Sequence, residues 1–267
     1  MASKSAPPAS PLKAPAAAGL IAGRFSVDFG QSLAGAAGGL PAYAAVDQSD
    51  GVGGLMAVQV QPQRPARARA ISLLTQGQVE GVLGPVGYGT ASLPSGEQGY
   101  FIVCQAPPGP SLAERPRPWS ESELLECVVR PVAHVLDRLR AIGVTHRAIR
   151  PDNLFRGGPG MPVVLGCAWA APPASTQPAL FEPPYAAMCL PCGRGEGSIA
   201  DDVYALGVTV LVLALGRLPM PGLGDQAVIR RKLDLGSFAA LAGEERLPSV
   251  VTDLLLGIVQ RHQELAL

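Results

Sequence analysis

Lysine is nearly missing from this chain of 267 residues: Lys4 and Lys13 stand near its start and Lys232 far along it, with none from 21 to 231. Carboxylates have gaps of their own. No Asp or Glu falls between Val60 and Val79, or from Leu154 to Phe181, so neither stretch offers the oxygen ligands a hard divalent cation prefers. Charged residues are only 16 % of the chain, where globular domains usually carry ~25 %. The net charge is zero, and no basic stripe interleaves with aromatics, which argues against nucleic acid as a partner. The longest apolar run, 205–215, falls well short of the ~20 residues a bilayer-spanning helix needs, so no membrane segment is expected. The cysteines are five, an odd number without regular spacing, which suits a reducing compartment better than a disulfide framework. No apolar stretch precedes Pro15, so no secretory leader is read there and a cytoplasmic location is expected.

What is present is a core-forming chain. Hydrophobic residues make up 48 % of it, beside 32 glycines and 27 prolines, a composition of buried elements joined by many loops. Residues 1–19, rich in Ala, Pro and Ser, are expected to be a disordered tail. From 25 to 103 the pattern is short strands with one helix. A glycine-bearing stretch (Gly35, Gly38, Gly39) reads as a flexible surface turn, with an anion cradle as the alternative. Residues 42–47 and 55–60 read as strands, with Asp50-Gly51 as turn chemistry between them. Residues 65–78 read as a helix with apolar Ala66, Ala70, Leu73 and Leu74, and 99–104 as a buried strand. Residues 120–142 carry apolar side chains at helical spacing. Ser120 and Glu123 form a capping box at the start, Gly143 stands at the end, and Pro131 must loosen the middle. His134 on that helix reads as a surface or packing residue. The run after Asp202 is a helix that is apolar all round and so buried. Residues 226–233 and 248–265 supply two more helices.

One stretch organises the rest: His146-Arg147-Ala148-Ile149-Arg150-Pro151-Asp152-Asn153, followed by Leu154 and Phe155. It resembles the catalytic loop of protein kinases, H-R-D-L-K-P-x-N. A second match, Asp202-Val-Tyr-Ala-Leu-Gly-Val208 ending at Gly216-Arg-Leu-Pro219, is similar to the start and end of the central kinase helix. The resemblance covers roughly 21–265. It implies an α+β, bilobal kinase-like fold: a small β-rich N-lobe over 20–104, a hinge over 105–112, and a larger, mainly helical C-lobe over 113–267 that ends early.

The departures from the family are chemical. Ala148 stands where the catalytic Asp would accept the substrate proton, and a methyl group accepts none. Gln59, in the strand resembling V-A-I-K, stands for the phosphate-gripping lysine, and the helix over 65–78 lacks its partner glutamate. Cys167 stands for the magnesium-binding Asp of D-F-G, with Trp169 filling the space of the missing Phe. Tyr185 takes the place of the glutamate that closes the activation segment. In the hinge, Cys104, Gln105 and Pro107 would face the adenine, and Pro107 has no N–H to offer it. His146, Arg147 and Asn153 remain, and Asp202 remains as a scaffolding carboxylate for the loop. Asp152 is read as pointing away from any substrate, and phosphorylation of Ser175 or Thr176 to meet Arg147 is the disfavoured reading. Cys189 and Cys192 form a lone C-x-x-C, read as reduced thiols with a redox switch as the alternative, since a structural zinc needs about four ligands.

The resemblance therefore implies a pseudokinase: no enzyme, no cofactor, no metal, and a scaffold for a protein partner or for other domains of a longer chain, with homodimerisation left open. A nucleotide sensor working without metal is the alternative reading. A nucleotidyl or phosphoryl transferase of unusual chemistry is a further one, and it lacks a metal carboxylate.

Overall fold

The computed structural model describes residues 19–51, 53–60, 67–114, 117–158 and 161–260. Residues 1–18 of the tail expected over 1–19, the start of the helix at Pro65 and the chain beyond 260 lie outside them, while Gly19 opens the first strand. An α+β body results. Its first part is a six-stranded antiparallel sheet of β1 (Gly19–Ile21), β2 (Phe25–Ser32), β3 (Ala42–Asp47), β4 (Leu55–Val60), β5 (Pro85–Ser92) and β6 (Gln98–Gln105), in the order β1-β2-β3-β4-β6-β5. The Asp50-Gly51 turn forms as read, with the Gly51 N–H on the Asp47 carbonyl at 2.9 Å.

Alternation along the strands divides the sheet into two faces. On one, Ile21, Phe25, Val27, Leu55, Ala57, Phe101 and Val103 form a small cluster of their own. On the other, Met56, Val58, Val60, Ile102 and Cys104 meet Ala70, Ile71 and Leu74 of helix α1 (Ala68–Gln76) and join the main core. That core runs without a break into the helical part of the chain, through Leu154, Leu165 and Trp169 to the helices behind them.

The helical part begins with α2 (Glu121–Glu123), a π turn over Leu124–Val129 and α3 (Arg130–Ala141). The capping box is in place: the Glu123 N–H reaches Ser120 Oγ at 3.3 Å and the Ser120 N–H reaches Glu123 Oε2 at 2.9 Å. Pro131 has no N–H for the carbonyl four residues back, and the helix widens just before it. The carbonyl so released, that of Cys127, accepts the N–H of Val163 at 3.1 Å instead. Proline thus turns a helix carbonyl into a tether for the next segment. A two-stranded sheet follows, β7 (Leu154–Phe155) with β8 (Val164–Leu165). It is stitched to the first part by the Leu83 N–H on Leu165 O and the Leu165 N–H on Gly81 O, both at 2.8 Å.

After α4 (Pro184–Met188) comes the long α5 (Ile199–Leu215), the buried helix expected from its apolar run. It stops at Gly216, whose φ of +67° suits glycine. A Cβ there would lie 2.5 Å from the Pro118 backbone nitrogen, so only glycine lets the two segments approach. Helices α6 (Asp225–Leu235), α7 (Ser237–Ala242) and α8 (Ser249–Leu255), with a π turn over Leu256–Gln260, complete the described chain. Among the described residues no helix is long and apolar enough to cross a membrane.

Candidate functional site

Asp202 sits in the first turn of α5 and is 1 % exposed. Its carboxylate accepts the N–H of His146 at 2.6 Å and of Arg147 at 2.7 Å. This double grip fixes the turn into the 146–155 loop and holds Arg147 at φ +60°, a left-handed conformation that costs a non-glycine residue about 1 kcal/mol. Burial dominates the Asp202 carboxyl and pushes its pKa up to about 6, against the two N–H donors and the charges of Arg147 and Arg67.

His146 is also buried. Its Nε2 lies 3.1 Å from the Gly166 carbonyl; a carbonyl only accepts, so Nε2 carries the proton. Burial first, and the nearby Arg67 charge second, lower its pKa to about 3, so the ring is neutral. Asn153 is turned wholly onto backbone: Nδ2 donates to Ala148 O at 2.8 Å, and Oδ1 accepts the Ala168 N–H at 3.4 Å. Neither end of its amide is left to hold a cation. Ala148, at the expected proton-acceptor position, is buried and apolar.

The glycine-bearing stretch over 34–39 is not a loose surface turn. Ala37 is fully buried in the main core, and Gly38 (φ +56°) lies directly on the loop. A Cβ on Gly38 would sit 2.7 Å from Asn153 Oδ1 and 3.0 Å from Ala168 Cβ. Arg150 secures the contact from the other side, donating from Nη2 to Gly38 O at 2.5 Å and from Nη1 to Gln177 Oε1 at 3.1 Å, while its Nε pairs with Asp152 at 2.8 Å. Gly38→Ala is expected to lower stability by about 2 kcal/mol, from the positive φ and the clash together. Urea denaturation measures the loss, and an unchanged midpoint would mean that the stretch lifts away freely.

Cys104 and Cys167 are both fully buried, and their thiols are near neighbours. The Cys167 contact first and burial second push the Cys104 thiol well above its ordinary pKa, so it is no nucleophile. Gln105 is exposed, Pro107 is half-buried without an N–H, and the Ala106 N–H between them is taken by Gly54 O at 2.8 Å. Trp169 is buried as expected and donates from Nε1 to Leu83 O at 3.1 Å.

The remaining expected residues sit as follows. Gln59 lies on the sheet face of Leu55 and Ala57, not on the face that meets α1 and the loop; the residue directed there is Val58, fully buried. Tyr185 is half exposed and, among the described residues, pairs with nothing acidic or basic, whereas Glu182, three residues earlier, is buried and accepts from Arg147 Nη2 at 2.8 Å. With Asp201 a further 3.4 Å from Nη1, the Arg147 guanidinium is enclosed, and no phosphate on Ser175 or Thr176 is needed to hold it. Asp152 is half exposed at the edge of a cavity of about 700 Å³ bounded by Leu112, Arg150, Phe181 and Leu213.

Two buried cations escaped the sequence reading. Arg67 donates to the carbonyls of Thr145 (2.7 Å), His146 (3.2 Å) and Trp169 (2.9 Å) and pairs with Glu196. A signal existed: Arg67 stands three, four and seven residues before Ala70, Ile71 and Leu74, and so belongs to the buried stripe of α1. Lys232 donates to the carbonyls of Ala179, Leu180 and Glu182 at 2.7–2.9 Å. Its spacing from Val228 puts it on the buried face of α6 in the same way.

Among the described residues no three His, Cys, Asp or Glu side chains group as metal ligands. No protein-family model matches the chain, and no curated protein matches it.

Proposed function

We propose that this chain is a pseudokinase: a kinase-like domain with the sheet as small lobe and the helices as large lobe, which does not hold magnesium-ATP and serves as a regulatory or protein-interaction scaffold. What supports this reading is burial at the positions where nucleotide and metal would be held, which we read as a filled space. Val58, Cys104, Asn153, Leu154, Leu165 and Cys167 are each 0 % exposed. Ala37 and Gly38 close over them, and Arg150 fastens the closure. A triphosphate needs cations and a metal needs carboxylates at that place; Arg150 is spent on backbone and side-chain partners, and Asp202 on the loop itself.

The scaffold part of the reading draws on rigidity. Arg67, Arg147 and Lys232 tie the segment over 167–182 to the loop and to α6 by buried charge-assisted hydrogen bonds. A metal-free nucleotide sensor gains no support of its own, because the Ala106 N–H already has an acceptor and Pro107 has no N–H.

Isothermal titration tests the proposal. ATP, with magnesium and with EDTA, is expected to give no binding heat, and labelled ATP no transfer to protein. Micromolar magnesium-ATP affinity would overturn the pseudokinase reading; affinity with EDTA alone would replace it by the sensor.

A further inference from the structure

Cys189 and Cys192 take no part in the site above. Both thiols are exposed. They stand on a built turn: Cys189 follows α4 in extended conformation, its N–H on Ala186 O at 3.2 Å, and a 3₁₀ turn over Pro191–Gly193 follows, with the Gly193 N–H on Leu190 O at 2.8 Å. Arg194 ties the turn to the body, donating from Nε to Cys189 O at 3.3 Å and from Nη1 to Gln177 O. C-x-x-C is the spacing at which one segment supplies two of the four ligands of a tetrahedral zinc-thiolate site. Among the described residues no third His, Cys, Asp or Glu groups with them, so half of a ligand set is still to be supplied.

The surroundings indicate where the missing half comes from. Leu190, between the two cysteines, is 74 % exposed, Met188 61 % and Tyr185 50 %. Large apolar side chains so exposed around a polar half-site mark a surface that another surface covers. A two-fold axis through the metal presents the same patch twice, so each residue of it meets its own counterpart or neighbour. The charges also close. Four thiolates and one zinc ion leave two negative charges, and the Arg194 of each copy supplies one positive charge beside its own turn.

We propose that Cys189 and Cys192 of two copies bind one zinc ion as four thiolates and join the chain into a two-fold dimer, with Met188 and Leu190 packed around the metal. Each thiol gives up its proton to solvent as it ligates, and no redox step is involved. The inference is independent of the pseudokinase reading, because neither the turn nor the patch touches the filled space.

The test uses the full chain, reduced and stripped of metal, titrated with zinc chloride while molar mass is read by light scattering and bound zinc by elemental analysis. The expected result is conversion of monomer to dimer with one zinc per two chains, reversed by EDTA, and a tetrahedral thiolate spectrum when cobalt(II) replaces zinc. Cys189→Ser and Cys192→Ser lose both zinc and dimer. Leu190→Glu, which keeps both thiols, loses the dimer at concentrations where the wild type holds it; circular dichroism checks that all three remain folded. One zinc per monomer, no zinc uptake by free thiols, a Cys189–Cys192 disulfide formed in place of metal binding, or a dimer indifferent to EDTA would each overturn the proposal.

Discussion

Arg147→Met is expected to destabilise the protein by about 3–5 kcal/mol, the range for breaking a buried ion pair from one side. The Arg147 and Glu182 side chains are each 1 % exposed and lie 2.8 Å apart. Removing the guanidinium strands a carboxylate in the core. Burial already raises the Glu182 pKa, and the Arg147 charge is the largest influence holding it down. The stranded group must then stay ionised at high cost or take up a proton, so the Glu182 pKa should rise further in the variant. Methionine keeps the unbranched stem and faces the same positive φ, so the comparison isolates the charge and its hydrogen bonds. Adding Glu182→Gln to Arg147→Met should recover a good part of the loss, because a neutral amide costs less to bury than an unpaired carboxylate. Urea midpoints for the two single variants and the double variant measure this coupling. A loss under about 1 kcal/mol for Arg147→Met would mean that Glu182 reaches water, and that the segment over 167–182 is not held as described.

That pair also shows how far the sequence could be read. Arg147 could be placed from its loop, because His146, Arg147 and Asn153 lie within eight residues of one another and Asp202 stands at the head of an unmistakable apolar helix. Its partner could not. Glu182 and Tyr185 lie three residues apart in a Pro-rich stretch with no periodicity, and choosing between them requires knowing which one the chain folds inward. Gln59 failed for a related reason. The strand 55–60 is apolar at nearly every position, so both of its faces are buried and alternation does not reveal which one meets the helices; a shift of one residue exchanges the faces. By contrast, Ser120 with Glu123, Pro131 and Gly216 announced a helix start, a loosening and a stop, because each acts within its own turn of chain. Helix α7 was unreadable for the opposite reason: six residues between Gly236 and Gly243 are too few to display a period.

Asp202→Asn is expected to cost about 2–3 kcal/mol at pH 7, and Asp202→Ala about 3–5 kcal/mol, because each N–H bonded to a charged acceptor contributes roughly 1.5–3 kcal/mol. An asparagine oxygen can still accept from His146 or Arg147, but its NH₂ then faces the other N–H; alanine leaves both donors buried and unpaired, with Arg147 still at φ +60°. The pH dependence separates this from a simple packing loss. The Asp202 carboxyl has an ordinary value of 3.8, raised to about 6 in the folded protein. Between those values the folded chain keeps a proton that the unfolded chain has released, so this group's contribution to stability grows as pH falls from about 6 to about 4 and is lost as pH rises back through 6. A shift of that size corresponds to about 3 kcal/mol. His146 works in the other direction: with its folded value lowered to about 3, it makes the protein less stable as pH falls below 6.5. The two contributions oppose each other in the wild type, and the gap between wild type and Asp202→Asn exposes the carboxyl alone, widening toward acid pH while His146 acts on both proteins alike. Chemical denaturation from pH 7 to pH 4 reads that gap; a constant gap would mean that Asp202 is not the buried, loop-holding carboxylate on which the geometry of residues 146–155 depends.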